Sequence, residues 1–340
     1  MQVEKISKNR NMLFGIGALG VLLVHSNQYV EWPSMIRKLF SFGGIGVYIF
    51  AFLSGMGLFV SMSHNFAGGG IRQFYKKRFL RVGVTYLIIA GVWYATKYLL
   101  LQFSPVEFLY ELSTLSYWME HKGAWYVAML IPLYLVYPIY YKWVIAGRIA
   151  RRTVMTMCVL LAVSFGLFAM NESLYSHLVQ VLNSLLIFAG GSYVGFLLCG
   201  ESCNKKLSYG WLFVTLLFYP IRAMIPGVNQ IRYLGNLSSA MLGVAVCLVV
   251  SIIGKYVPGI IRKTLEWLGS ISLELYLTNI FLLQAVAIML KRGKLTGVNG
   301  WMQWAVVYFL ICLLGIGISA LVKHVSLNIY RRQSIGVRPR

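Results

Sequence analysis

A histidine closes the first apolar segment of this chain, and a basic run ends in two arginines two segments later. His25 sits at the end of MLFGIGALGVLLVHS (12–26), and Arg78 and Arg81 end FYKKRFLR (74–81). Ionisable groups at membrane depth are costly and usually face an interior path, which makes them candidates for function. An imidazole titrates near neutral pH and can take a proton from a hydroxyl as a general base. Arg78 and Arg81 stand at i and i+3, so they share a helix face. With Lys76 and Lys77 they make a basic cluster suited to phosphate oxygens. The chemistry this predicts is capture of a phosphate-bearing donor on the basic side and proton transfer at His25.

Each group also has a plainer role. A membrane histidine can be neutral and bonded to a neighbouring helix, and a basic run can be a topology signal. What favours a wet cavity at His25 is its company: Ser26, Asn27 and Gln28 follow directly, and Glu31 lies close enough in sequence to orient the imidazole. Arg10, fifteen residues earlier, falls about 60° from the histidine face and about 22 Å along the helix, at the mouth of the same path or as an interfacial anchor. Further polar positions punctuate apolar segments and are candidates for lining a substrate path: Ser54, Trp125 and Tyr126, then Glu274, Tyr276 and Asn279 in LGSISLELYLTN (268–279). An acid at mid-membrane is expected to be paired, and Arg222 and Lys97 are the candidate partners for Glu274.

The elements that position these groups follow from composition. The chain is 59% apolar and only 12% charged, against about 25% charged in soluble domains. Apolar stretches near the length a bilayer core demands recur throughout. They fall at 12–31, 42–62, 80–101, 124–146, 153–170, 178–199, 208–225, 233–253, 267–290 and 300–322. The expected architecture is an all-α polytopic membrane protein of about ten helices, with 1–340 as a single domain because the connections are short. Lys5, Lys8 and Arg10 ahead of the first run resemble a signal-peptide start, but no small-residue cleavage site follows, so that run is read as helix one.

Charge placement sets the orientation. Of the 31 basic residues, 22 fall on the face that holds the N-terminus, the 72–81 run and the C-terminal tail. The positive-inside rule then puts both termini in the cytoplasm. Glu31, Glu107, Glu111, Glu120 and Glu172 fall on the other face. The net charge of +22 is therefore an orientation signal that also favours anionic headgroups, and nucleic acid is not an expected partner. The cysteines complete no zinc spacing, so no metal site is expected. Gly15-Ile-Gly17-Ala-Leu-Gly20 matches a dinucleotide fingerprint but lacks the strand that motif needs, and inside a membrane helix it reads as a packing stripe. Asn171-Glu-Ser173 and Asn236-Leu-Ser238 match the glycosylation sequon, a frequent accident.

Taken in order, five stretches resemble the acyltransferase-3 family of integral membrane acyltransferases: RNMLFGIGALGVLLVHS (10–26), GGIGVYIFAFLSG (43–55), FYKKRFLRV (74–82), GAWYVAMLIPLYLVYP (123–138) and LGSISLELYLTN (268–279). The resemblance implies transfer of an acyl group, often acetyl, to sugars or other envelope acceptors. It implies His25 as the essential catalytic residue, and Arg78 and Arg81 as donor-binding residues. Two positions depart from the family pattern: Phe14 stands where many members carry an arginine, and Asn279 where many carry a histidine. Arg10 is the candidate substitute for the former.

The combined expectation is a multi-pass O-acyltransferase of the plasma (bacterial inner) membrane. It would use acyl-CoA, acetyl-CoA on the family's habit, as co-substrate and hold no bound cofactor. Acyl-CoA would dock on Arg78, Arg81, Lys76, Lys77 and Arg10; the acceptor would be an envelope or extracellular glycan-type hydroxyl, either deprotonated by His25 or acylated from an acyl group carried briefly on His25. A transporter of an anionic lipid-linked or nucleotide-linked substrate is the alternative, though no inverted repeat is discernible.

Overall fold

In hydrocarbon a backbone must satisfy its own polar groups, and a helix does so within one segment. The computed structural model describes residues 3–68, 70–101, 104–200, 231–291 and 300–335, together with a few positions between 214 and 225. Every regular element among them is helical. They are α1 (Val3–Lys8), α2 (Arg10–Ser26), α3 (Ser34–Ser41), α4 (Gly46–Gly68), α5 (Gly70–Leu101), α6 (Pro105–Leu112), α7 (Leu115–Glu120), α8 (Trp125–Ile145), α9 (Ile149–Met170), α10 (Glu172–Cys199), α11 (Arg232–Ile253), α12 (Gly259–Ser270), α13 (Ser272–Lys291) and α14 (Trp301–Ile335).

Eight of the described helices are long and apolar enough to cross a membrane. The apolar α2 is shorter at 17 residues, about 25 Å at 1.5 Å per residue. The expected all-helical membrane architecture is therefore met, with eight long spans and one shorter apolar helix where ten spans were expected. Most of the segment expected at 208–225, Arg222 included, lies outside the described residues, as do Cys203, Lys205, Lys206, Arg338 and Arg340.

The chain divides into two compact units. The first comprises Met1–Val24, Leu39–Ile71 and Pro138–Ser270, and the second His25–Lys38, Arg72–Tyr137 and Ile271–Arg340. The boundary thus falls inside α2, between Val24 and His25.

Within the first unit, α4 is the central helix. Its Ile49, Leu53 and Met56 are buried with Leu13 of α2, Ile187 of α10 and Cys247 of α11. Apolar burial drives little association in lipid, so helices gain by approaching until their backbones touch, which small residues permit. A Cβ on Gly191 would lie 2.0 Å from the Phe52 carbonyl oxygen, and one on Gly55 would lie 2.1 Å from that of Phe188. The GxGxxG stripe of α2 behaves the same way. Gly15 lies against the Leu265 backbone, Gly17 against the Gly46 carbonyl and Gly20 against that of Gly43. These glycines pack helices, as their place inside a membrane segment predicts. The Asn-x-Ser strings are likewise structural: Asn171 caps α10 by accepting from the Leu174 N–H at 3.0 Å, and Asn236 Nδ2 donates to Tyr175 Oη at 3.3 Å.

Neighbouring glycines on α10 give a sharp test. Gly190 has open space where a Cβ would go, whereas Gly191 abuts backbone. Gly190→Ala is expected to be neutral or to stabilise by up to about 1 kcal/mol through helix propensity. Gly191→Ala is expected to cost about 1–3 kcal/mol, because a backbone oxygen cannot step aside as a flexible side chain can. Thermal unfolding of the two variants in lipid nanodiscs checks the contrast, and equal midpoints would refute it.

In the second unit, α13 lies beside α14, with Ser319 Oγ donating to Thr278 Oγ1 at 3.3 Å. A small core of Val30, Leu283 and Tyr308 forms around them. Between α5 and α8 the chain makes the short helices α6 and α7. A capping box starts α6: Ser104 Oγ accepts from the Glu107 N–H, and the Glu107 carboxylate accepts from the Ser104 N–H. Hydrogen bonds from Lys122 and Tyr110 hold the Glu120 carboxyl below the usual carboxylate range. What these bonds contribute is present above that range and is lost as pH falls through the lowered value.

Candidate active site

Helix α2 stops just after His25 because the chain turns sharply there. The Gln28 N–H donates to the His25 carbonyl, and the Tyr29 and Val30 N–H groups donate to that of Ser26. Three side-chain bonds pin the turn. Trp32 Nε1 donates to the buried Ser26 Oγ at 2.9 Å, Tyr29 Oη donates to the Leu283 carbonyl at 3.2 Å, and Asn27 Nδ2 donates to the Arg37 carbonyl at 3.1 Å. Asn27 thus serves the turn itself. The half-buried His25 imidazole is hydrogen-bonded by the Gln28 side chain, while Glu31 is exposed. Gln28 is an addition to the site residues singled out from the sequence. Its signal was available, since a chain that turns back at once places i+3 beside i.

The basic run on α5 sorts into two faces. Phe74 is buried against Tyr137, with ring centroids 6.0 Å apart, and Tyr75 Oη donates to the Leu135 carbonyl at 2.9 Å. Arg78, one turn beyond Phe74, is half-buried with its guanidinium carbon 6.0 Å from the Phe74 ring centre. Lys76, Lys77 and Arg81 are exposed. The aromatic contacts seat the helix, Arg78 lies along it, and the other three cations are exposed. Such a set can hold several phosphate oxygens by charge-assisted hydrogen bonds.

Residues far apart in sequence meet at α13. The Tyr126 N–H is one of the donors that a helix leaves unpaired in its first turn. It donates to Tyr276 Oη at 3.1 Å, with the two rings 6.0 Å apart and edge to face. Trp125 lies edge to face against Tyr126. Tyr276→Phe removes the acceptor and leaves that N–H buried, at an expected cost of about 1–3 kcal/mol. Thermal unfolding checks it, and an unchanged midpoint would show that the hydroxyl is dispensable.

One expected partner of Glu274, Lys97, needs correction. Lys97 is bound to Glu111, with Nζ 2.5 Å from Oε2. Glu274 is buried and instead lies within electrostatic reach of Lys323, as does Arg81. Lys323, just past the apolar stretch that ends at 322, is half-buried within α14. Asn279 is buried one turn further along α13, with its amide toward the Tyr308 hydroxyl.

All the sequence-derived site residues except Arg10 and Ser54 belong to the second unit. In the first unit, Ser54 is half-buried, next to the packing residue Gly55. Arg10 reaches along α2 so that its guanidinium carbon stands 5.0 Å from the Phe14 ring centre, and its Nη2 lies against Gly57. The cation of residue 10 therefore lies against the ring of residue 14. No group of three or more His, Cys, Asp or Glu side chains that could hold a metal ion occurs among the described residues.

No curated protein and no solved structure matches the chain. A family model for an acyltransferase domain, that of the acyltransferase-3 family, matches residues 13–323, from early α2 to Lys323 in α14. That match takes in His25, the basic run of α5, and Glu274 and Asn279, over nearly the whole of a many-helix membrane chain, and so the protein belongs to the acyltransferase-3 family.

Proposed function

We propose that the protein is a plasma-membrane O-acyltransferase that moves an acyl group, acetyl in the simplest case, from cytoplasmic acyl-CoA to a hydroxyl of an envelope or extracellular glycan-type acceptor. The observation that carries this reading is the gathering of His25 and the basic run of α5 in one unit of a chain belonging to an acyltransferase family. The basic residues, with both termini, face the cytoplasm under the positive-inside rule. Lys76, Lys77, Arg78 and Arg81 hold the phosphates of CoA. His25 accepts the proton of the acceptor hydroxyl as its oxygen attacks the thioester carbonyl. The carbon–oxygen ester bond forms, the carbon–sulfur bond breaks, and the proton passes from the imidazole to the departing thiolate. The Gln28 hydrogen bond orients the ring for this exchange.

Isotopically labelled acetyl-CoA supplied to the cytoplasmic face of membrane vesicles that carry envelope glycans tests the reading. Label should appear as alkali-labile ester only in vesicles containing the protein. Passage of label across the membrane with no covalent product would replace the proposal with a transporter.

A further inference from the structure

The second unit contains a cavity of about 230 Å³ that the mechanism above does not use. It lies between α5, the α6–α7 segment and α13, and its walls include Trp93, Tyr94, Lys97, Glu111, Ser116 and Gln284. These groups are held firmly. Trp93 Nε1 donates to Gln284 Oε1 at 3.1 Å, and the Trp93 indole stacks on Phe281. Lys97 and Glu111 pair with side chains only 14% and 16% exposed, and the Lys97 ammonium stands 5.6 Å from the Tyr94 ring centre.

A glycine keeps the cavity open. Gly123 has a φ of +94°, and a Cβ there would come within 3.2 Å of Tyr94 Oη and 3.7 Å of Ser116 Oγ. Such a backbone conformation is natural to glycine and strained for other residues.

Charge narrows the ligand. Lys97 is neutralised by Glu111, and Lys122, also in the wall, by Glu120 at 2.5 Å. The cavity therefore offers ionic hydrogen-bonding groups without a net charge. A fixed ammonium beside a fixed carboxylate matches two adjacent hydroxyls, one accepting from nitrogen and one donating to oxygen. Aromatic walls suit the C–H face of a saturated ring. The volume is below the roughly 300–1,000 Å³ of pockets for drug-sized ligands, so one ring fits.

We propose that this cavity binds a single neutral polyhydroxyl ring, a monosaccharide unit, and seats the acceptor of the transfer reaction. Its role as acceptor site rests on the function proposed above; ring binding does not. The link to His25 is helix α13. Leu283 takes the hydrogen bond from Tyr29 that pins the His25 turn, and the next residue, Gln284, lines the cavity.

The test is saturation-transfer NMR on the full-length protein in phospholipid nanodiscs, free of sugar-headed detergents. The probes are the methyl glycosides of glucose, galactose, mannose and rhamnose, with methyl glucuronide as the anionic comparison. At least one neutral glycoside should show saturable transfer to its ring protons. Ala287→Trp, which fills the cavity, should abolish that signal, and Glu111→Gln should weaken binding about tenfold or more. Thermal unfolding in the nanodiscs verifies the fold of each variant. Folded wild-type protein that binds none of the neutral glycosides would overturn the proposal. So would unchanged binding in Ala287→Trp, or tighter binding of the glucuronide. Two further outcomes separate the layers. Glycoside binding without ester formation would leave the cavity assignment standing and remove the transferase reading. Wild-type ester formation by Ala287→Trp would remove the acceptor assignment and leave the transferase reading standing.

Discussion

His25→Ala is expected to lower ester formation from acetyl-CoA by about 100-fold to 10,000-fold, the usual worth of a positioned general base, while the protein still folds and binds its donor. The expectation rests on where the imidazole stands. It is half-buried on the last turn of α2 and hydrogen-bonded by Gln28, in a loop tied to α13 through Tyr29 and to α2 itself through Trp32. A histidine with a purely structural role would, on removal, loosen that loop and lower stability together with activity. The decisive comparison therefore pairs turnover with donor affinity and thermal midpoint. Loss of turnover alone supports catalysis at His25, and normal turnover would eliminate it. Gln28→Ala should lower turnover about tenfold by freeing the ring, with little change in donor affinity.

The double variant Arg78→Ala/Arg81→Ala is expected to weaken acetyl-CoA binding by about 100-fold, the loss of two charge-assisted contacts to phosphate. The effect should be larger at low ionic strength, where exposed cations act over a longer range. Arg78 lies half-buried along Phe74, so its side chain is already partly ordered and loses less freedom on binding. Lys76 and Lys77 are exposed, and replacing them should cost less than replacing the arginines, because an ammonium lacks the planar fork that grips phosphate. Isothermal calorimetry in nanodiscs measures all of these. Donor affinity indifferent to the arginine pair would return the run to a role in topology alone.

Much of this protein is legible in its sequence. A bilayer demands backbone self-satisfaction and about twenty apolar residues per span, and each segment meets or fails that demand alone. The all-helical membrane class, the position of most helices and the reading of Gly15, Gly17 and Gly20 as packing residues follow from such local demands. His25 and the Arg78 and Arg81 pair stand out for the same reason, as charges and titrating groups set where their solvation is costly.

Partner choice was not legible. Lys97 was a candidate for Glu274, yet it pairs with Glu111, and Glu274 lies in reach of Lys323. Tyr126 and Tyr276 were singled out separately, and only the packed helices bring the hydroxyl of one to the N–H of the other. Gln28 meets the imidazole because the turn after α2 reverses the chain within one residue of His25. Hydropathy is a property of each segment and can be read along the chain. Which side chain meets which depends on how helices distant in sequence rotate and approach, and that is decided by small residues such as Gly55 and Gly191 only once their facing backbones are in place.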